Sequence, residues 1–220
     1  GHSVGEVAAA AISGAISFND ALSLVRTRGV EMAKAAAASP AGMSAVLGGD
    51  RDEVLCAIAA LKLVAANDNG AGQIVAAGNL DALSQLAPDG ARVRALAVAG
   101  AFHTPFMEPA VAPLRAMAAT IETTPAKVSV ISNKDGAVIR DGREILDRIV
   151  AQISNPVRWD LCMTTLSENV SGALEVPPAA TLVGLLKRAV PNVETFALKV
   201  VADLALADEF VLRHNQEVSS

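Results

Sequence analysis

The alternation of apolar and polar positions predicts that helices and strands follow one another along this chain. Residues 4–15 are small and apolar, and a second helix is predicted over residues 20–37, where Asn19 and Asp20 offer an N-cap. The apolar stripe of this helix is predicted to consist of Leu22, Val25, Gly29 and Met32, which recur at helical spacing. A turn at residues 39–42 ends the region.

Residues 41–100 have a pattern of their own. Strands are predicted at Met43–Leu47, Leu63–Ala66, Gln73–Ala77 and Val93–Ala99, with helices from an Asp50 cap to Leu61 and at Leu80–Leu86. A turn-rich link, Asn67–Gly70, separates the second strand from the third. Because the order βαββαβ is the split pattern of a ferredoxin-like unit, we predict a ferredoxin-like subdomain over residues 41–100.

After residue 100, helices and strands alternate again. Helices are predicted near residues 109–121, 142–153, 160–168, 179–189 and 201–213, and strands near 128–132, 174–176 and 196–200. Such alternation favours an α/β layer with a parallel sheet. The predicted fold class is therefore α/β, with a parallel-sheet core at residues 1–40 and 101–220 that the 41–100 subdomain interrupts.

Composition excludes several classes of function. The 220 residues are 52% apolar with a net charge of −5, which argues against a disordered chain and against nucleic-acid binding, since phosphate neutralisation needs a basic surface. No apolar run is long enough to span a membrane and no signal pattern is found, so a cytoplasmic protein is expected. Cys56 and Cys162 lack metal-ligand spacing and are predicted to be free thiols, and no metal or cofactor is expected.

The strongest local signal is the sequence Gly1-His2-Ser3-Val4-Gly5. A Gly-x-Ser-x-Gly pattern is typical of the sharp strand-to-helix turn that presents a nucleophile in α/β-hydrolase-like folds. Ser3 is therefore the candidate nucleophile, and the backbone N–H of Val4 is a candidate oxyanion donor at a helix N-terminus. A buried strand normally precedes this turn, so we expect either a truncated chain or a separate segment that supplies the strand.

A serine nucleophile needs a base, and the chain has three histidines. His2 is expected to point away from the serine on so sharp a turn, and His214 is interpreted as a solvated residue of the polar tail. His103 follows the last predicted strand of the subdomain and is the candidate base, because α/β folds place catalytic groups where strands enter loops. No acidic partner can be singled out, and a backbone carbonyl could orient the imidazole instead.

Other residues leave alternatives open. Arg26 and Arg28 flank the predicted apolar stripe of the second helix equally, so periodicity does not choose between them. Either could pair with a substrate carboxylate or lie solvated at the surface. Asn67 and Asn69 could contact a ligand or only shape a turn, and Trp159 is interpreted as a packing residue.

Taken together, these motifs resemble those of the malonyl-CoA:acyl carrier protein transacylases and the related acyltransferase domains of polyketide synthases. The matching segments are GHSVGE (Gly1–Glu6), VRTRGVEM (Val25–Met32), GQIVAAG (Gly72–Gly78), GAFHTPFM (Gly100–Met107) and QISNPVRW (Gln152–Trp159). The interval of 25 positions from Ser3 to Arg28 also matches. The resemblance extends from residue 1 to about residue 205.

The resemblance implies a role for each matching catalytic residue. Ser3 would accept a malonyl group from CoA, and His103 would act as base for Ser3 and then for the phosphopantetheine thiol of acyl carrier protein. The backbone carbonyl of Gln152 would orient His103, so that no acidic third member is required. Arg28 would bind the free carboxylate of the malonyl group.

The resemblance also implies a substrate cleft and a set of partners. Asn69 and Gln73 would lie near the acyl-CoA cleft, and Phe102 is similar to the bulky residue associated with malonyl rather than methylmalonyl preference. Malonyl-CoA and acyl carrier protein are the expected partners of a protein that is expected to be a monomer and to bind neither membrane nor nucleic acid.

This sequence departs from the family in two places. The family's N-terminal region, whose GQGSQ-type loop would supply a second oxyanion donor, is not found in it. Val176–Ala180 stands where many relatives have a Gly-Pro-Gly turn, so the junction is expected to survive with different contacts. The competing hypotheses are a serine esterase, which would usually include an acidic triad member, and an inactive truncated fragment.

Overall fold

The structure is a computed structural model that describes residues 1–217. It divides into two compact units, Gly1–Cys162 and Met163–Ser220. The helices are α1 (Gly5–Ile12), α2 (Phe18–Ala37), α3 (Arg51–Ala60), α4 (Leu80–Gln85), α5 (Glu108–Ala118), α6 (Gly142–Ala151), α7 (Trp159–Asn169), α8 (Thr181–Ala189) and α9 (Leu204–Glu217). The strands are β1 (Ala41–Gly48), β2 (Val64–Asp68), β3 (Gln73–Asn79), β4 (Ala91–Ala95), β5 (Val130–Ile131), β6 (Val138–Ile139), β7 (Val157–Arg158), β8 (Gly172–Glu175) and β9 (Glu194–Ala197).

The first unit contains a mixed five-stranded sheet in the order β4-β1-β3-β2-β7. The pairings among β1 to β4 are antiparallel, and in this register Ala45 lies opposite both Val75 and Arg94. The short strand β7 joins β2 in parallel. The α/β class is confirmed, and the boundaries predicted at residues 40 and 100 remain predictions.

The single parallel core sheet predicted from the alternating pattern is wrong for residues 1–217. In this part of the chain parallel pairing joins β2 to β7 and β8 to β9, whereas β5 and β6 form an antiparallel pair. Strands of two to four residues after residue 100 cannot build a continuous layer, because each offers few backbone groups to a neighbour.

Two predicted strand boundaries are also wrong. Asn67 and Asp68 belong to β2 rather than to a turn, because their backbones pair with β3 on one side and β7 on the other. Pairing on both edges of a buried segment outweighs the turn preference of these side chains. Strand β4 ends at Ala95 instead of residue 99, because only the bond from the Leu96 N–H to the Met43 carbonyl extends its pairing with β1.

The buried face of helix α2 differs from the apolar stripe predicted from its sequence periodicity. Its buried residues are Ala21, Leu24, Met32 and Ala35, whereas Leu22 and Val25 of the predicted stripe are exposed. The physical reason is that α2 packs against α5 through the face that carries Leu24 and Met32, which leaves Leu22 and Val25 on the side away from the core. The N-cap is Ser17, whose hydroxyl accepts the N–H of Asp20, so the predicted Asn19 and Asp20 lie within the helix.

The main core of the first unit lies among helices α1, α2, α5 and α6. The aliphatic side chains at its centre are fully buried: Leu24, Leu114, Leu146, Ile149 and Ile153. Helix α6 contributes most regularly, because its apolar residues recur on one face. A second cluster, which includes Val46, Ile58 and Ile74, packs helices α3 and α4 on the five-stranded sheet. These clusters hold the loops from which the polar site described below is built.

The second unit contains the parallel pair β8–β9 with α8 and α9, and a side-chain carboxylate holds its β8–α8 junction. The Glu175 carboxylate accepts the N–H groups of Ala180, Leu182 and Val183 at 2.9–3.0 Å. These bonds lower the pKa of Glu175, although partial burial opposes them. A side-chain carboxylate thus caps α8 where Pro177 and Pro178 occupy the turn.

Glu175→Gln is expected to lower the free energy of unfolding by about 1–2 kcal/mol, because a neutral amide offers one acceptor oxygen to three N–H donors. Since its folded-state pKa is lowered, the contribution of Glu175 is present above the ordinary carboxyl pKa and declines as the pH falls. Denaturant unfolding at neutral and acidic pH measures both effects. Glu168→Gln, at an exposed position of α7, is the control, and equal stability of the two variants would contradict the capping role.

In the described residues, no helix is both long and apolar enough to cross a membrane.

Candidate active site

The loop that carries Ser3 is a strained turn at the start of α1. Ser3 has a φ of 51°, and bonds from the Gly5 N–H to the His2 carbonyl and from the Glu6 N–H to the Ser3 carbonyl begin the helix. A Cβ at Gly1 would overlap the Gly5 carbonyl, whereas the space beside Gly5 is open. Gly1 is therefore the glycine whose lack of a side chain the turn requires.

Ser3 and His103 are joined by a hydrogen bond. The Ser3 Oγ lies 2.7 Å from His103 Nε2, and His103 Nδ1 lies 2.8 Å from the main-chain carbonyl oxygen of Gln152. A carbonyl oxygen can only accept, so Nδ1 carries the proton and Nε2 is left to accept the serine hydroxyl. The structure thus brings Ser3, His103 and the Gln152 carbonyl into the order that a nucleophile, a base and an orienting group would require.

His103 is held by a compact loop. Its φ of 60° lies in the left-handed region, and the next residue, Thr104, donates its hydroxyl to the Ala101 carbonyl at 2.6 Å. Thr104 also caps the short 3₁₀ helix Pro105–Met107. The expectation that His103 directly follows a strand is wrong, because β4 ends eight positions earlier and the loop itself places the imidazole.

The environment of His103 keeps it neutral. The pKa of His103 is lowered to about 4, chiefly by burial and also by the Arg28 guanidinium, and the hydrogen bond to the Gln152 carbonyl opposes this shift. A neutral imidazole at neutral pH has a free lone pair on Nε2. The residue is therefore ready to take the proton of Ser3 when a reaction begins.

Tertiary structure distinguishes the two arginines of α2. Arg28 donates from Nη2 to the Ser3 Oγ at 3.2 Å, whereas Arg26 is exposed. Burial lowers the pKa of Arg28. Its Nε is buried without a hydrogen-bond partner within the part of the chain that the structure describes. A half-buried guanidinium with a buried, unused Nε–H donor beside a candidate nucleophile can bind an anionic substrate group.

The other predicted binding residues come from four different segments of the chain. Val4 is the N-cap residue of α1, and its N–H finds no acceptor within residues 1–217. The Asn69 Oδ1 lies 2.9 Å from His2 Nε2, so Asn69 contacts the nucleophile loop and not Ser3 itself. Gln73 begins β3 and lines a cavity of about 60 Å³ near Arg51. Phe102 packs between two apolar clusters.

Sequence reasoning missed two residues of the site. The side chain of Asn133 accepts the Ser3 N–H at 2.7 Å, and the Asn133 N–H donates to the Glu6 carboxylate at 2.6 Å. Both residues are buried. Glu6 belongs to the family-like segment GHSVGE, which could have marked it as a site residue. No sequence feature near Asn133 indicates that this residue contacts Ser3. His2 turns away from Ser3 as predicted, with its ring against Trp159.

Comparison with known proteins identifies the family. The sequence model described as acyl transferase domain matches residues 1–209. The malonyl CoA-acyl carrier protein transacylase of Mycobacterium bovis is 54% identical over 208 residues, which are 93% of this chain and 69% of that protein. The chain belongs to the acyl transferase domain family.

Solved structures agree with this assignment to the acyl transferase family. The crystal structure of MCAT from Mycobacterium tuberculosis superposes with a TM-score of 0.90 at 54% identity, covering 93% of this chain and 69% of that one. A malonyl-transacylase solved in complex with a type II PKS acyl-carrier protein gives a TM-score of 0.88 at 30% identity, covering 94% and 70%. The α/β architecture described above is therefore the architecture of the family.

The last histidine of this acyl transferase domain is not the solvated residue that the sequence predicted. His214 is mostly buried, and its Nδ1 lies 2.7 Å from the Ser171 Oγ while its Nε2 lies 3.2 Å from the Glu194 carboxylate. Its ring also packs on Phe210. The two polar contacts tie α9 to the β8–β9 pair, because Ser171 directly precedes β8 and Glu194 begins β9.

Proposed function

We propose that this acyl transferase domain transfers a malonyl group from CoA to the phosphopantetheine thiol of acyl carrier protein in fatty acid biosynthesis. The observation that carries the proposal is the Arg28 guanidinium at 3.2 Å from the Ser3 hydroxyl, which itself is bonded to a neutral His103. A cation beside the nucleophile suits an acyl group that ends in a carboxylate. The similar Mycobacterium bovis protein is named for malonyl CoA and acyl carrier protein, the same acyl donor and acceptor.

In the first half-reaction, Ser3 Oγ would attack the thioester carbonyl carbon while His103 Nε2 takes the hydroxyl proton. The Val4 N–H would stabilise the oxyanion that forms on the carbonyl oxygen. When the carbon–sulfur bond breaks, the CoA sulfur would leave with the proton held by His103. The product is a malonyl ester on Ser3 with His103 again neutral.

The second half-reaction would run the same steps in reverse with another thiol. His103 would deprotonate the phosphopantetheine thiol of acyl carrier protein, and the sulfur would attack the ester carbonyl of malonyl-Ser3. Ser3 Oγ would then leave with the proton from His103. The Gln152 carbonyl keeps the Nδ1 proton in place throughout, so Nε2 alone exchanges protons with the reacting atoms.

The remaining predicted residues would shape the acyl pocket and the cleft. Arg28 would bind the malonyl carboxylate through Nη2 and the unpartnered Nε, which a planar guanidinium presents as a pair. Phe102, next to His103, would limit the bulk of the acyl group and favour malonyl over methylmalonyl. Asn69 and Gln73 would lie toward the acyl-CoA cleft.

Several finer expectations belong to the same proposal. The strand order β4-β1-β3-β2 supports a ferredoxin-like unit at residues 41–100, and the strained Ser3 turn supports an α/β-hydrolase-like elbow. A cytoplasmic monomer without metal or cofactor, which binds neither membrane nor nucleic acid, remains the expectation for the protein as a whole.

Incubation with malonyl-CoA and holo-acyl carrier protein tests the function. Intact-mass analysis is expected to show one malonyl group on the carrier protein, with apo-carrier protein, which lacks the thiol, as the unreactive control. Release of free malonate at the same rate with and without the carrier protein would instead establish a hydrolase. A parallel reaction with methylmalonyl-CoA tests the Phe102 prediction, which faster methylmalonyl transfer would contradict.

A further inference from the structure

A buried carboxylate lies directly behind the reactive pair. Glu6 is 3% exposed, and each of its two oxygens accepts one hydrogen bond. Oε1 accepts the Asn133 main-chain N–H at 2.6 Å, and Oε2 accepts the side-chain amide of Gln152. Neither half-reaction uses Glu6, so its burial calls for a role other than proton transfer to the substrate.

The two donors to Glu6 lead to the two reactive residues. The main-chain carbonyl of Gln152 accepts the hydrogen bond from His103 Nδ1–H, so holding the Gln152 side chain also holds the group that orients the base. The side chain of Asn133 accepts the Ser3 N–H at 2.7 Å and donates to the Gly1 carbonyl at 2.9 Å, which ties both arms of the strained turn. The Gln152 amide also donates to Asn133 Oδ1 at 3.2 Å.

We infer that Glu6 is a positioning residue whose carboxylate fixes the Gln152 carbonyl against His103 and, through Asn133, the backbone of Ser3. The inference rests on the proposed function of Ser3 and His103. It assigns Glu6, Asn133 and the Gln152 side chain to one buried unit that sets the distance between nucleophile and base. The three residues come from α1, the loop after β5 and the end of α6, so the unit also joins three separate segments.

The chemistry requires a carboxylate at this position. Both oxygens of an ionised carboxyl accept, which matches the two N–H donors that face Glu6. A glutamine offers one acceptor and one donor, so either orientation of its amide would bring two donors together. A protonated Glu6 would have the same defect, because its O–H would face an N–H. Ionised Glu6 is therefore the form that holds the unit closed.

This requirement makes the positioning depend on pH. Burial raises the pKa of Glu6 to about 7, although its hydrogen bonds and the charges of the Gly1 amino group and Arg148 oppose the rise. Arg28 of α2 and the Cys162 thiol of α7 also face Glu6. Burial raises the pKa of Cys162 to about 12, and the pKa of His103 is lowered to about 4. Because the pKa of Glu6 lies between these two values, Glu6 is the one of the three groups that changes charge as the pH rises through neutrality.

The test compares wild type, Glu6→Gln and Glu122→Gln, an exposed control. The rate of Ser3 acylation by malonyl-CoA is followed by rapid quench and intact mass from about pH 5.5 to about pH 8.5. Glu6→Gln is expected to acylate roughly tenfold to a hundredfold more slowly than wild type at the alkaline end. The ratio is expected to approach about one at the acidic end, where wild-type Glu6 is itself protonated.

A purely structural role of Glu6 predicts a different result, namely a wild-type to variant ratio that does not change with pH, and that result would overturn the inference. The double variant Glu6→Gln/Gln152→Glu restores one donor–acceptor pair and is expected to recover part of the rate at alkaline pH; no recovery would also count against the positioning unit. If Glu6→Gln does not fold, the wild-type profile decides, since the absence of an acid limb near neutrality overturns the inference.

Failure of the proposed function would look different from failure of this inference. If wild type itself forms no adduct on Ser3 at any pH, the assignment of the nucleophile is wrong. If wild type is acylated and Glu6→Gln matches it at every pH, only the role of Glu6 is wrong. Circular dichroism and the unfolding midpoint of each variant show whether a rate difference arises in folded protein.

Discussion

Ser3→Ala is expected to abolish the covalent malonyl adduct and to lower transfer to acyl carrier protein by about a thousandfold or more. The alanine removes the only atom that forms the ester, and the remaining groups can orient a thioester but cannot accept its acyl group. Brief incubation with malonyl-CoA followed by intact-mass analysis measures the adduct. Transfer to holo-acyl carrier protein measures the turnover that depends on it.

Ser23→Ala is the matched control for this experiment. Ser23 lies on the exposed side of α2, so its hydroxyl can be removed without touching the site. This variant is expected to carry one malonyl group as wild type does. An adduct of the same mass on Ser3→Ala would show that another residue accepts the acyl group, and the assignment of the nucleophile would then be wrong.

Arg28→Ala is expected to lower malonyl transfer by about a hundredfold while leaving acetyl transfer nearly unchanged. The guanidinium lies beside Ser3 Oγ with a buried, unpartnered Nε, and an acetyl group has no carboxylate to use it. Removing the cation costs the malonyl group a charge-assisted pair of hydrogen bonds. Acylation rates with malonyl-CoA and acetyl-CoA, measured on the same preparation, give the ratio directly.

Arg26→Ala separates this effect from a general loss of positive charge on α2. Arg26 is two residues away and exposed, so its removal is expected to leave both rates unchanged. Equal losses of malonyl and acetyl transfer in Arg28→Ala would mean that Arg28 supports the fold and does not bind the carboxylate of the malonyl group. The acetyl rate therefore serves as an internal control for the shape of the site.

The site was predictable from sequence to the extent that its motifs are local. The glycine-flanked serine predicts a sharp turn because only a few conformations fit that spacing, and the structure places Ser3 in such a turn. The choice of His103 rested on elimination among three histidines, and the loop that holds it was not foreseen, since β4 ends well before it. The orienting role of Gln152 came from the family resemblance alone, because a main-chain carbonyl leaves no mark on side-chain patterns.

The fold was predictable where segments are long and regular. Helices α2 and α6 and the strands β1 and β3 lie close to their predicted positions. The strands β6 and β7 and the parallel pairing of β7 with β2 were not, because pairing partners are chosen by contacts between distant segments. Asn67 and Asp68 show most clearly how tertiary contacts outweigh local preference. Their side chains favour a turn, but pairing with β3 and β7 holds their backbone extended.

By itself, the sequence determined the family of this protein, the Ser3 turn, the histidine available as its base and the segments from which the site is built. Periodicity left Arg26 and Arg28 open and the family resemblance chose Arg28, but only the tertiary structure shows Arg28 beside Ser3 and Arg26 exposed, because that depends on which side of α2 packs against α5. It alone brought Glu6, Asn133 and Gln152 together, because hydrogen bonds across 127 and 146 positions exist only after the chain has folded.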